Sequence, residues 1–320
     1  MQRQKGVKLT ENEFILEDRK AKIKSVVEKH GEDKFILSFS GGKDSTVLSK
    51  LIDLAIPDNK LTRVYSDTGI EYNINRQFVY KMAENDDRFV IVKPKLPIRK
   101  MLEEVGYPFK SKEHSQAVDY FQTKGIGSKT VERYIHPSEG RKAYGCPDIL
   151  KYQFEAATAL KFRVSLKCCK ELKKKPIAQY QKDNGKPYKI LGIRHEEGGL
   201  RKSAKCLAFK EGELYSFNPL IVVTEEWINW FVKEYKVKLS ALYYPPFNFK
   251  RTGCKGCPFD LHLQDDLDVM ERLLPAERKQ CEYIWAPVYA EYRRLGYRLR
   301  KDETIEGQMT INDFLGGKHE

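Results

Sequence analysis

Phe35-Ile36-Leu37-Ser38-Phe39 followed by Ser40-Gly41-Gly42-Lys43-Asp44-Ser45 decides how this chain folds. The first five residues are mostly apolar and predict a buried strand. Beyond Ser45, Val47, Leu48, Leu51 and Ile52 recur on one face of a helix. The order is strand, glycine-rich turn, helix. Paired glycines let backbone approach an anion with no side chain in the way. Free N–H groups of the first helical turn, with the Ser40 and Ser45 hydroxyls, can then hold a phosphate. The G-x-x-x-x-G-K-S/T consensus of another phosphate loop is absent. Asp44 would repel a bare phosphate, so it calls for a cation such as magnesium or for a structural place at the helix start. A plain turn of small residues is the competing reading, and the full Ser-Gly-Gly-Lys-Asp-Ser run after an apolar strand outweighs it.

The same pattern repeats outward. Leu61–Ser66, Phe89–Val92 and Tyr188–Ile193 read as further strands, and Ile98–Val105 reads as a helix stopped by Gly106. Short apolar runs alternating with helical periodicity predict an α/β fold with a parallel, twisted sheet flanked by helices. Residues 1–24 read as a charged arm. Residues 107–145 read as a long irregular insertion of the kind that often carries function. A helix is expected from Pro147 to Phe162. Trp227–Tyr235 is amphipathic, and the chain after Cys257 is helical, with Leu273, Trp285, Val288 and Tyr292 as packing residues. The tail 302–320 is polar.

Composition bounds the partners. The 320 residues carry 41% hydrophobic side chains, a net charge of +13 and a pI near 9.2. There is no apolar run of about 18 residues, so no spanning helix and no membrane partner are expected. The polar, basic N-terminus predicts no secretory signal and a cytoplasmic protein. Basic residues concentrate in Lys161–Lys189, Arg194–Lys210 and Lys250–Lys255. Such a surface suits nucleic acid, and it suits ATP or a sulfate ester equally.

The seven cysteines are Cys146, Cys168, Cys169, Cys206, Cys254, Cys257 and Cys281. An odd number argues against a disulfide framework and for metal or redox use. Cys254-Lys255-Gly256-Cys257 is a C-x-x-C turn able to direct two thiolates at one metal. Cys168-Cys169 is a vicinal pair among lysines, which favour thiolate. The two pairs stand 84 residues apart. That gap is too long for a zinc finger and suits two loops of one fold. Cys206 is a rival ligand.

The Ser40–Ser45 loop resembles the PP-loop of ATP pyrophosphatases, which cleave ATP between the α and β phosphates. The vicinal cysteines followed by C-x-x-C resemble the cluster motif of iron–sulfur sulfonucleotide reductases. Asp67-Thr68-Gly69 after the second strand is similar to that family's turn near the adenosine. Gly192-Ile193-Arg194 with Glu196, Glu197 and Arg201 is similar to its arginine segment, with Gly198 in place of a serine. Asn218-Pro219-Leu220 before Trp227 is similar to its N-P-L junction, with a longer gap. The resemblance covers about residues 30 to 262. It implies an adenine nucleotide α-hydrolase-like fold with a nucleotide domain at 25–220 and a helical region at 221–320 carrying the C-x-x-C turn. It also implies a four-iron, four-sulfur cluster on Cys168, Cys169, Cys254 and Cys257, with zinc as the chemical alternative. The reductases' C-terminal catalytic cysteine has no counterpart after Cys281. The pattern stands closest to the sulfurtransferases of DNA phosphorothioation and tRNA thiolation.

The expected function is therefore an ATP pyrophosphatase that adenylates an acceptor, nucleic acid by the charge, for sulfur transfer. Ser40, Gly41, Gly42 and Ser45 would hold pyrophosphate and Lys43 would neutralise it. Asp44 would ligate magnesium, Asp67 with Thr68 and Gly69 would read the nucleoside, and Arg194 and Arg201 would stabilise phosphate charge. A salt-bridge face with Glu196 and Glu197 is the competing role for the two arginines. Sulfur would come from a cluster, from Cys146 or Cys281, or from a persulfide donor protein such as a cysteine desulfurase. Tyr243-Tyr244-Pro245-Pro246-Phe247 could line the nucleotide pocket or pack against the cysteine turn. The alternative functions are a reductase of adenylyl sulfate or its 3′-phospho form, and a nucleotide sensor without turnover.

Overall fold

The computed structural model describes residues 9–301. The basic N-terminal residues 1–8 and the polar tail 302–320 lie outside the described residues. The chain forms two compact units. Residues up to Gly106 with Leu166–Lys255 make the first, and Tyr107–Ser165 with the residues from Gly256 make the second.

The first unit begins with α1 (Glu11–His30), where a charged arm was expected. Thr10 caps it in a capping box with Glu13, and Leu16, Ile23, Val26 and Val27 are buried. There follow β1 (Phe35–Phe39), α2 (Lys43–Ala55), β2 (Thr62–Ser66), α3 (Asn73–Asn85), β3 (Phe89–Val92) and α4 (Ile98–Val105). The second unit then supplies α5 (Lys112–Lys124) and α6 (Lys129–Ile135). The chain returns to the first unit for α7 (Lys175–Asp183), β4 (Tyr188–Ile190), β5 (Leu207–Lys210), β6 (Glu213–Phe217) and α8 (Glu225–Glu234). It closes in the second unit with α9 (Leu263–Leu273), α10 (Pro275–Ile284) and α11 (Ala286–Leu295).

The sheet has six strands in the order β3-β2-β1-β4-β6-β5. All neighbours are parallel except the β5–β6 pair. Phe35, Leu37 and Phe39 of β1 pack with Val47, Leu48, Leu51 and Ile52 of α2 in one buried core that also takes Trp227, Ile228 and Phe231 of α8. The predicted apolar face of α2 is thus its buried face. Strand order reverses at β1, whose neighbours are β2 and β4. Open α/β sheets place ligands beyond the carboxyl ends of strands at such a switch point. Here the segments leaving β1 and β4 are the Ser40–Ser45 loop and Gly192–Arg201.

The second unit differs from the sequence reading in three places. Residues 107–145 contain α5 and α6 rather than irregular backbone. The helix expected from Pro147 to Phe162 is a short 3-10 turn over Asp148–Phe154. Of the four packing residues named after Cys257, Trp285, Val288 and Tyr292 are buried but Leu273 is 37% exposed.

Candidate nucleotide site

The loop's backbone explains its glycines. Gly41 has φ of +72°, and a Cβ there would lie 2.6 Å from Val79 Cγ2 and 2.9 Å from Asn75 Nδ2. Both the conformation and the space therefore demand glycine. Gly42 is the N-cap of α2 and offers no capping side chain. The hydroxyls fold the loop on itself: Ser40 Oγ lies 3.0 Å from Ser45 Oγ and accepts from the Gly42 N–H at 3.2 Å, while Ser45 Oγ donates to the Gly42 carbonyl at 2.9 Å. The Lys43 N–H donates to the Tyr243 hydroxyl at 2.8 Å, and that hydroxyl lies 3.1 Å from Thr252 Oγ1.

Five charged side chains meet at the loop. Arg194 is 5% exposed. It donates through Nε to Asp44 Oδ1 at 2.9 Å, through Nη1 to Glu196 Oε2 at 2.7 Å and through Nη2 to Glu225 Oε2 at 2.5 Å. Lys43 pairs with Glu225 through Nζ and also donates to Asn229 Oδ1 at 3.3 Å. Burial raises the Asp44 carboxyl above its usual range and nearby Glu225 adds to this, while Arg194 and Lys43 oppose it. Burial also acts upward on Glu225, but Lys43 and Arg194 outweigh it and hold that carboxyl below its usual range. Arg201 pairs with Glu197. Burial and then Arg251 lower the Arg201 guanidinium's affinity for its proton. Arg201 thus sits in a salt bridge with Glu197, and Arg194 joins Glu196 and Glu225 to Asp44 of the loop.

These groups line one cavity of about 830 Å³. Its wall includes Ser40, Gly42, Lys43, Asp44, Arg194 and Arg201. Tyr243 and Tyr244 line it as well. So do Glu225, Lys250, Arg251 and Thr252, which sequence reasoning had not singled out as site residues. A signal for Glu225 existed: Thr224 accepts from the Trp227 N–H at 3.2 Å, so Thr-Glu-Glu is a helix start. Nothing in the pattern said that this start would face the loop.

Asp67, Thr68 and Gly69 do not line the cavity. Asp67 is buried, accepting from Arg76 Nε at 3.0 Å and Tyr80 OH at 2.7 Å, and Thr68 is bonded to Glu71. Glu71 and Lys173 do reach the cavity wall. Cys254 beside Lys173 favours the lysine's charged form against burial, and Glu71 and Cys169 reinforce it. Burial pushes the Cys254 thiol up, with Lys173 opposing.

The cysteines divide between the units. Cys168, Cys169, Cys206 and Cys254 belong to the first, and Cys146, Cys257 and Cys281 to the second. Cys206 packs on the sheet core. Burial pushes the Cys146 thiol up to about 11, and Cys281 is fully buried, so neither is poised as an exposed sulfur carrier. Among the described residues no three or more His, Cys, Asp or Glu side chains gather into a metal-holding group. Asp44 and Glu225 both accept from Arg194, and their hard carboxylate oxygens are of the kind that magnesium takes.

The phosphoadenosine phosphosulfate reductase domain family matches residues 128–259, and the NAD synthase family matches residues 15–117. A glutamine-hydrolysing GMP synthase of Vibrio campbellii is 46% identical over 63 residues, which is 20% of this chain and only 11% of that synthase. The phosphoadenylyl-sulfate reductase of Candida auris has a TM-score of 0.41 at 15% identity, over 78% of this chain and 97% of that one. The U34-tRNA thiolase NcsA of Methanococcus maripaludis, solved with its 4Fe-4S cluster, has a TM-score of 0.36 at 16% identity, over 94% of this chain and 83% of that one. The two family matches, both to PP-loop domain families, hold between them the Ser40–Ser45 loop and the Gly192–Arg201 segment.

Proposed function

We propose that the chain is an ATP pyrophosphatase that adenylates an acceptor, a nucleic acid, so that sulfur can replace the activated oxygen. One observation carries the reading: the intact Ser-Gly-Gly-Lys-Asp-Ser loop opens α2 at the sheet's switch point, with Lys43, Asp44 and Arg194 on one cavity wall. The sulfonucleotide and adenylate chemistry of the matching families supports it.

ATP lies along the loop, its β and γ phosphates against the first-turn N–H groups of α2. Lys43 and Arg194 leave Glu225 in part and turn to phosphate oxygens. Asp44 with Glu225 would hold magnesium, which when bound polarises the α phosphate. An acceptor oxygen attacks the α phosphorus, the bond to the bridging oxygen breaks, and pyrophosphate leaves. Arg194 and Arg201 balance the charge that builds on the transferring group. The terminal sulfur of a donor protein's persulfide then attacks the acceptor atom that bears the adenylated oxygen, that atom's bond to oxygen breaks and AMP leaves, and a second thiol cleaves the resulting disulfide, leaving sulfur on the acceptor and a disulfide on the thiols. Cys168, Cys169, Cys254 and Cys257 are the residues that would hold a four-iron, four-sulfur cluster, or zinc, for the sulfur-transfer step.

The test is pyrophosphate release from ATP in the presence of DNA or RNA. The wild-type chain releases it, and Asp44→Ala loses at least about a hundredfold of the rate, the scale of removing one preorganised charge from a reacting centre. Sulfite release from adenylyl sulfate with a thiol donor, and no pyrophosphate from ATP, would replace this reading with the reductase one.

A further inference from the structure

Beside the nucleotide cavity the first unit holds a second hollow, of about 1030 Å³. Val232, Leu239 and Tyr244 line both, so the two adjoin. Lys50 of α2, Lys81 of α3, Lys233 at the end of α8 and Lys236 and Lys238 just beyond it line the second one, and all five are exposed. No ion pair holds any of them among the described residues. Asp53 and Asp86 also line the hollow, but both are already taken. Asp53 pairs with Arg63 at 2.6 Å and Arg88 at 2.9 Å, and Asp86 pairs with Arg88 at 2.7 Å. Thr46, Ser49 and Asn85 add neutral polar groups, and the rest of the lining is apolar or aromatic, with Phe78, Met82 and Tyr235 half-buried and Tyr244 46% exposed.

Lysines at a helix C-terminus suit its dipole, which would account for Lys233. It does not account for Lys50 and Lys81, which come from other helices onto the same hollow. Spaced cations over an apolar, aromatic lining match a single strand of nucleic acid. Its phosphates need cations and its unstacked bases need flat apolar faces. A duplex offers the phosphates but keeps its bases paired. None of the five lysines falls in the basic stretches that the sequence marked, because they are close only in space.

We infer that this hollow is the track of a single-stranded nucleic acid, whose reacting group passes Tyr244 into the nucleotide cavity. The inference rests on the reading of nucleic acid as the acceptor and adds where and in what form it binds.

Fluorescence anisotropy of the full chain with fluorescein-labelled twelve-nucleotide dT and U strands, and with a duplex of equal length, tests it. Single strands bind at least about tenfold tighter than the duplex, and the ratio of the dT and U arms tells DNA from RNA. Each engaged lysine contributes about 0.7 to the slope of log affinity against log salt. The triple variant Lys233→Gln, Lys236→Gln, Lys238→Gln therefore lowers the slope by about 2, while its ATP-induced melting shift stays at the wild-type value. Tyr244→Ala weakens single-strand binding about tenfold, as expected for a lost stacking face. The control triple Lys202→Gln, Lys205→Gln, Lys210→Gln in the basic stretch Arg194–Lys210 keeps wild-type binding. The inference falls if the α8 triple binds like wild type or if the control triple loses binding instead. It also falls if polyglutamate binds as tightly as the strands, or if the hollow proves to be a self-association face whose dimer the α8 triple abolishes. Single strands that bind through the lysines without raising pyrophosphate release would remove nucleic acid as acceptor and leave the track standing. Strands that raise pyrophosphate release equally in wild type and α8 triple would do the reverse.

Discussion

Arg194 meets three carboxylates at once, and Glu225 shares itself between Arg194 and Lys43. Without nucleotide, Glu225 therefore stands where phosphate charge is needed, as counter-ion to both cations. Exposed ion pairs contribute little to stability, and Glu225 is 41% exposed, so its charge matters more for binding than for folding. Glu225→Gln keeps the shape and removes the charge. In the absence of magnesium it should tighten ATP binding by about 1 kcal/mol, roughly fivefold in Kd, by titration calorimetry. With magnesium the gain should shrink, because the variant also removes an oxygen ligand. Equal weakening with and without the metal would show that Glu225 only holds the loop in shape.

Among the elements, the β4 exit approaches the backbone at the start of α2 closely. A Cβ on Gly192 would lie 3.1 Å from the Asp44 carbonyl carbon and oxygen and 3.2 Å from Ser45 N. Those are backbone atoms at a helix start and cannot turn aside. Gly192→Ala should cost about 1–3 kcal/mol by thermal denaturation and raise the KM for ATP. Helix α9 carries a different sensitivity. Burial raises the Asp266 carboxyl to about 7, with Asp260 and Asp265 adding to it. A carboxyl whose folded value lies above its unfolded one stabilises at low pH and loses that contribution as pH rises through the folded value. The melting temperature should therefore fall between pH 4 and 7 from this source. Asp266→Asn should flatten the fall. Elements also differ in how well the sequence exposes them. Strands β1 and β3 and helix α4 stand at the residues expected, because apolar runs with a glycine stop are unambiguous. Helix α5 was hidden because its buried face carries His114, Ser115 and Asp119, polar residues that blur the period. His114 finds Tyr134 at 3.0 Å and Gln153 at 2.8 Å inside the second unit, a satisfaction no local pattern announces. The helix read beyond Pro147 fails for a local reason: Thr158 Oγ1 donates to the Tyr152 carbonyl at 2.7 Å, a side-chain bond that competes with helical pairing. The β5–β6 hairpin, turning on Glu211 and Gly212 at positive φ, lay inside and beside a stretch read only for its charge.

At the scale of the whole molecule, the candidate site was legible in part because its two halves follow two neighbouring strands. The loop after β1 and the arginine segment after β4 must meet once the sheet order is known, whereas Glu225, Tyr243 and Thr252 arrive through tertiary packing. The cysteines obey no such rule. They divide between two units, and none lines the nucleotide cavity. Nucleotide binding should therefore be separable from thiol chemistry. At a hundredfold excess over its Kd, ATP should stabilise the full chain by about 2.7 kcal/mol. That upward melting shift should survive anaerobic treatment with an iron chelator in the presence of magnesium. It should also persist in Cys168→Ser and Cys257→Ser, one from each unit, while sulfur incorporation into nucleic acid disappears in both. A melting shift lost together with the thiols would mean that they build the nucleotide pocket.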